Sequence, residues 1–299
     1  MVIHAQELPV PGARSESLTA TDGLRLAADR FQGVGPGILL AHGFGQTRQA
    51  WAATQQRLAA AGHASLAWDL RGHGQSDRNP ADSRYAGEQF VADVGTAAAA
   101  AGTRPVLVGA SMGGLTGLMA QARQPLFSAL VLVDITPRWE ASGVERILGF
   151  MNAHPDGFES YEHAAEQIAA YLPHRRERKT PAQLAHLLVA RTDGRLAWHW
   201  DPRLLSEFIP DTHGLHDVLD EACRRLDVPV LLVSGGRSDL VTDRTVAHFL
   251  ELAPHARHVQ LPQATHMVAG DDNDAFTGTL LHFLSDLSAA PTAAPGDPR

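Results

Sequence analysis

The stretch Val106-Leu107-Val108-Gly109-Ala110-Ser111-Met112-Gly113-Gly114 constrains the fold more than any other part of the chain. An apolar, β-branched run breaks at a glycine, carries one serine, meets two more glycines and resumes as the helix-like segment Leu115 to Arg123. A chain that passes from strand to helix around one residue crowds that residue's Cβ. The crowding is tolerable only where the residues two before and two after lack side chains. Gly109 and Gly113 meet that demand. The G-x-S-x-G spacing in this setting predicts a serine hydroxyl raised off a sheet edge. It also places the Met112 N–H at a helix start, where backbone donors and the helix dipole favour a developing oxyanion.

The segments around this turn alternate between strand and helix. Leu18 to Ala20 and Leu24 to Phe31 flank the turn Thr21-Asp22-Gly23 and read as an opening hairpin. The short apolar runs Ile38 to Ala41, Ala64 to Leu70, Ala129 to Ile135 and Val228 to Val233 suit strands buried on both faces. Helices are expected over Arg48 to Ala61, between Gly87 and Ala101, and from about Asp274 to Leu287. A further helix through about Leu252 and a strand near His258 to Leu261 complete the pattern. Such an alternation predicts an α/β chain with right-handed crossovers and a mostly parallel sheet covered by helices on both faces.

Between about Arg138 and Phe208 the pattern changes. No strand-like apolar run occurs there, whereas Val144 to Asn152, Tyr161 to Leu172 and Pro181 to Arg191 read as helical. This segment holds Trp139, Trp198 and Trp200, three of the five tryptophans. It reads as an inserted helical cap over residues 137–208, with the α/β core in residues 1–136 and 209–287. An aromatic-rich cap over a sheet edge would roof an apolar pocket and exclude water, which makes the three tryptophans candidate pocket residues. The run His174 to Lys179 reads as a solvated loop or helix end, and residues 288–299, rich in Ala, Pro and Gly, as a frayed tail.

A net charge of -8 and the lack of a basic face give no reason to expect a nucleic-acid partner. Cys223 is the single cysteine, so no intrachain disulfide forms. No apolar run reaches the length of a membrane span, and the start lacks a basic region followed by an apolar one, so a cytoplasmic protein without a membrane partner is expected. No His and Asp pair stands at metal-ligand spacing, and no glycine-rich phosphate loop with a following lysine is present. No cofactor and no metal are therefore expected, and the partner is a small-molecule substrate. Oligomeric state has no signal in the sequence.

The order His42-Gly43, then Asp69 to Asp77, then Gly109 to Gly114, an inserted cap, Asp239 and His266 resembles the cap-bearing branch of the α/β-hydrolase superfamily, from about Leu18 to Leu287. The resemblance implies an eight-stranded sheet and a Ser-Asp-His triad on loops at the carboxyl ends of strands. It also implies that His42 orients the loop whose next N–H, that of Phe44, joins Met112 N–H in an oxyanion hole.

The residues support a triad independently. A serine hydroxyl needs an adjacent base, and the base an orienting carboxylate. Among 16 histidines, His266 follows the last expected strand, 27 residues after Asp239, which follows the previous one. One helix and one strand fit that interval and would return both to the same sheet edge. Ser111, Asp239 and His266 are thus the expected catalytic residues. Asp134, at the end of an earlier strand, is the alternative acid, since some superfamily members use that position. Asp69, Arg71 and His73 read as a loop-bracing set. Ser111 argues against epoxide hydrolases, haloalkane dehalogenases and dienelactone hydrolases, which carry other nucleophiles. Hydrolysis of a carboxylic ester, lactone or thioester is the leading expectation. Carbon-carbon bond hydrolysis, cofactor-free perhydrolysis and a non-catalytic receptor on the same fold are the alternatives.

Overall fold

In a computed structural model, residues 10–171, 180–208, 212–271 and 273–289 are described. The run His174 to Lys179 and residues 290–299 lie outside them, whereas Ser288 and Ala289, expected in the tail, belong to the last helix. The chain opens with the hairpin β1 (Arg14–Thr19) and β2 (Arg25–Phe31), closed around Thr21-Asp22-Gly23. Then come β3 (Val34–Ala41), a 3-10 turn over Arg48–Trp51 running into α1 (Ala52–Ala60), and β4 (His63–Trp68). After a long loop follow α2 (Gly87–Ala101), β5 (Val106–Ala110), α3 (Met112–Arg123) and β6 (Ala129–Val133).

The segment inserted after β6 contains α4 (Ala141–Asn152), α5 (Tyr161–Tyr171), the single turn α6 (Pro181–Leu184), the strands β7 (Leu188–Ala190) and β8 (Leu196–Trp198), and α7 (Arg203–Glu207). The chain returns through α8 (Thr212–Arg224), β9 (Val230–Gly235), α9 (Asp243–Leu252), β10 (Arg257–Leu261), α10 (Val268–Asp271) and α11 (Asn273–Ala289).

Eight strands form one sheet in the order β1-β2-β4-β3-β5-β6-β9-β10. Only the pairs β1/β2 and β2/β4 are antiparallel. Side-chain alternation divides the central strands between two cores. Leu39, Ala41, Leu107, Leu130, Leu132 and Leu232 face α2, α3, α8 and α9, where Phe90, Leu118, Leu219 and Phe249 meet them. Ile38, Leu40, Val108, Val131 and Val233 face α1 and α11, against Leu58, Phe276, Leu280 and Phe283. Burial on both faces is why the central strands read as unbroken apolar runs.

The expected helix from Pro181 to Arg191 stops after one turn. Leu188–Ala190 instead pairs antiparallel with Leu196–Trp198. The connection contains Asp193-Gly194 with Gly194 at φ +83°, a turn that glycine adopts without steric cost and that closes a hairpin rather than extending a helix. The inserted segment has an apolar cluster of its own, in which Phe158, Ile168, Leu184, Leu188 and Leu196 meet. Among the described residues no helix is long and apolar enough to cross a membrane.

Cys223 lies on α8 inside the core, where burial pushes its thiol up to about 12. A thiol that stays protonated and shielded is a poor nucleophile. At pH 8 an aromatic disulfide reagent is expected to leave the native protein unmodified and to release one equivalent of thiolate once guanidinium unfolds it. Stoichiometric release without denaturant would contradict the packing of α8 against the sheet.

Candidate active site

Ser111 is the only residue between β5 and α3, and its backbone stands at φ 47°, ψ -118°. A non-glycine residue at positive φ carries roughly 1–3 kcal/mol of strain and persists only where the surroundings impose it. Here the surroundings do so from both sides. A Cβ on Gly109 would lie 2.6 Å from the Gly114 Cα, and one on Gly113 only 2.5 Å from the carbonyl oxygen of Ala41. The elbow therefore packs backbone against backbone. Ser111 N–H donates to the Val133 carbonyl (3.1 Å), which ties the elbow to the end of β6. Met112, the first residue of α3, has no intrahelical acceptor for its N–H.

One residue beyond Val133, Asp134 also stands at positive φ, 48°. Its carboxylate is fully buried and fully used. Oδ1 accepts Gly235 N–H (2.7 Å), while Oδ2 accepts the Ser238 hydroxyl (2.5 Å) and His266 Nδ1 (2.7 Å). Asp134 is 0% exposed and His266 14%. A buried carboxylate with one partner removed would cost several kcal/mol, and three donors offset that penalty. With its proton on Nδ1 facing a carboxylate, His266 keeps the Nε2 lone pair for use as a base.

Asp239, expected to orient His266, does not do so. Its carboxylate is held by Arg146 of α4 (2.5 Å) and is 32% exposed. The residue of this loop that turns inward is its neighbour Ser238, whose hydroxyl donates to Asp134 and accepts the N–H groups of Leu240 and Val241. The alternative position after β6 carries the orienting carboxylate. The reason is steric and electrostatic: Gly235, Ser238 and His266 fill the shell of one carboxylate, and a second charge would repel it at that distance.

The loop after β3 lies against the elbow, since a Cβ on Gly43 would stand 3.2 Å from that of Ser111. Three histidines hold three successive peptides of this loop. His42 Nδ1–H donates to the Gly43 carbonyl (2.8 Å), which also accepts Gln46 N–H (3.1 Å). In a trans peptide this turns Phe44 N–H the opposite way. His73 Nε2 accepts Gly45 N–H (3.2 Å), and His199 Nε2–H donates to the Gly45 carbonyl (3.2 Å). The remaining ring nitrogens also have backbone partners: Leu70 N–H on His42, the Arg71 carbonyl on His73 and Gly74 N–H on His199. No lone pair of the trio is left for a metal. No other metal-ligating group of three or more side chains occurs among the described residues.

The loop carrying His73 is braced in turn. Asp69 accepts Arg48 N–H (2.7 Å), Arg48 Nη1 (2.5 Å) and Gln75 N–H (2.9 Å), while Arg71 pairs with Asp93 through two bonds of 2.6 Å. Gln46 links the loop to the residue after His266, since its Oε1 accepts Gly43 N–H (3.2 Å) and its Nε2 lies 3.2 Å from the sulfur of Met267.

Residues 38–279 match the alpha/beta hydrolase family. The chain belongs to that family. Esterase Rv0045c of Mycobacterium tuberculosis is 31% identical over 258 residues, 82% of each chain. The 2-(acetamidomethylene)succinate hydrolase of Mesorhizobium japonicum is 28% identical over 246 residues, 80% of this chain and 84% of the relative. A crystal structure of E-2-(acetamidomethylene)succinate hydrolase superposes with a TM-score of 0.79 at 24% identity, covering 91% of this chain and 99% of that one, a likeness of fold.

In this α/β hydrolase the three tryptophans of the inserted segment have different neighbours. Trp139 packs edge-on against His216 (4.4 Å), and Trp198 against Phe150 and Phe158. Trp200 alone of the three has a ring contact with the loop after β3, its ring 5.1 Å from that of Phe44. Its Nε1 is buried with no hydrogen-bond partner among the described residues. Sequence reasoning missed Gln46, His199 and Ser238. Only His199, set between two tryptophans, had a signal to follow.

Burial holds all three loop histidines below the ordinary imidazole range, His73 well below it and His199 at about 3. Unfolding restores values near 6.5, so below that pH the unfolded chain binds more protons than the folded one. The stabilisation is complete above about pH 6.5 and is lost as the pH falls, by up to about 1.4 kcal/mol per pH unit for each ring. The urea midpoint is therefore expected to drop steeply between pH 6.5 and 4. A His199→Gln variant, with one fewer titrating ring, should show a shallower slope. An equal slope in both proteins would mean that His199 titrates normally in the fold.

Proposed function

We propose that this hydrolase acts on a carboxylic ester, lactone or thioester of a small apolar molecule through Ser111, His266 and Asp134. The observation that carries the reading is the buried hydrogen bond between Asp134 and His266 Nδ1, with the serine of a strained strand-to-helix turn tied through its N–H to Val133, one residue before Asp134. Ser111 Oγ attacks the acyl carbon as its proton passes to His266 Nε2, and Asp134 stabilises the resulting imidazolium. The oxyanion forms against the N–H groups of Phe44 and Met112, the first aimed by His42 and the second at the positive end of α3. Collapse expels the alcohol or thiol, which takes the proton from His266. A water molecule, deprotonated by the same nitrogen, then releases the acid and restores the serine. The name of esterase Rv0045c favours the ester among these bonds.

Ser111→Ala is expected to abolish hydrolysis of p-nitrophenyl acetate without lowering the melting temperature, since it removes a small group at a position already strained. Asp134→Asn should lower kcat by a factor on the order of 10³–10⁴. Asp239→Asn, which loosens only the link to Arg146, should keep kcat within a few-fold of the wild type. Full activity in Asp134→Asn with loss in Asp239→Asn would move the acid to Asp239.

On this reading residues 137–208 form a cap, and Trp200 is the one of its three tryptophans whose ring packs on the oxyanion loop, against Phe44, with a buried Nε1–H that has no partner among the described residues. Trp200→Phe is expected to change the kcat/KM ratio between acetyl and hexanoyl aryl esters by about fivefold, ~1 kcal/mol. Trp139→Phe should shift that ratio less, because its ring neighbour is His216. A Trp200 variant with the wild-type ratio would remove it from the pocket.

A further inference from the structure

Of the three histidines that grip the loop after β3, two come from the same sheet edge as the loop itself. The third, His199, comes from the inserted segment, immediately after β8. It is buried, and both ring nitrogens are committed: Nε2–H to the Gly45 carbonyl (3.2 Å) and Nδ1 to Gly74 N–H (2.7 Å). One ring thus spans two loops that are 29 residues apart in the chain. The chemistry of the partners sets the tautomer, since a carbonyl can only accept and an amide N–H can only donate. Around it, Trp200 packs on Phe44, and a Cβ on Gly45 would stand 2.7 Å from the terminal carbon of Met151 on α4.

We infer that His199 is a positioning residue by which the inserted segment fixes the oxyanion loop, acting through the Gly45 carbonyl on the Phe44 N–H. The inference rests on the reading of Phe44 as an oxyanion donor. His42 fixes the 43–44 peptide and His73 the 44–45 peptide, so His199, on the 45–46 peptide, completes a grip on three consecutive planar units. Each unit has only two soft dihedrals on either side. Releasing the last one lets Phe44 N–H swing by tenths of an ångström. An oxyanion donor works only when it is aimed beforehand at the place where charge develops. The inserted segment and the oxyanion loop therefore move together, and contacts made by a substrate with that segment are felt at the donor.

The test separates the two bonds of one ring. The amide nitrogen of glutamine reaches the position of Nε2, whereas the carbonyl oxygen of asparagine reaches only that of Nδ1. His199→Gln thus keeps the donor to Gly45, and His199→Asn keeps the acceptor for Gly74. With p-nitrophenyl acetate, His199→Asn and His199→Ala are expected to lose about 100-fold in kcat with KM changed less than threefold. His199→Gln should keep kcat within about fivefold of the wild type. Melting temperatures are measured alongside, and a purely structural role would make kcat follow them. If the alanine variant does not fold, the glutamine and asparagine pair decides. Asparagine equal to or better than glutamine, or wild-type kcat in both, would overturn the inference. A Ser111→Ala protein that still turns over would overturn the hydrolase reading instead, a different result in a different variant.

Discussion

The close backbone contact between β5, α3 and the end of β3 is the constraint on which the rest depends. Strand and helix meet around Ser111 with so little room that Gly109 and Gly113 have no space for a Cβ. That contact holds a side chain at φ 47°, a conformation that no local preference favours. The strain is sustained by the two cores of the sheet. Each central strand contributes apolar residues to both faces, at roughly 25 cal/mol per Å² buried, and the helices on those faces have nowhere else to pack. Asp134, at φ 48° just past the end of the neighbouring strand, draws on the same support.

Around this edge the Asp134 carboxylate and the three loop imidazoles find all their partners in the protein. Asp134 has three donors, and His42, His73 and His199 use every ring nitrogen on a backbone group. Burial makes both arrangements possible. It suppresses the charge on the three imidazoles, so that each can serve as donor and acceptor at once, and it strengthens the hydrogen bonds that the Asp134 carboxylate accepts. The buried pair of His266 with Asp134 thus stands beside three histidines whose imidazoles burial holds neutral.

The two acid positions show where tertiary structure outweighs pattern. Asp239 has the expected spacing from His266, yet the loop after β9 turns Ser238 inward and Asp239 outward to Arg146. A one-residue difference in the direction of a loop side chain leaves the partner of His266 to the aspartate that follows β6. No periodicity encodes that direction, because the loop has none. The hairpin β7/β8 is a milder instance, since its Asp193-Gly194 turn was readable but its strands span only three residues each.

By itself the sequence determined the α/β architecture, the serine elbow, the place of His266 after the last long strand and the loop after β3. Each of these is written in local terms: unbroken apolar runs for strands buried on both faces, glycines where a Cβ has no room, and a histidine after the last long strand. Only the tertiary structure decided which aspartate faces His266, that Ser238 and Gln46 join the network, and that His199 reaches back from the inserted segment to Gly45. Those choices depend on which side chains meet across 100 residues or more of chain, as Asp134 meets His266 at a separation of 132 and His199 meets Gly45 at 154. Hydrogen bonds over such distances are set by packing and by the need to satisfy buried polar groups, and neither leaves a periodic trace in the chain.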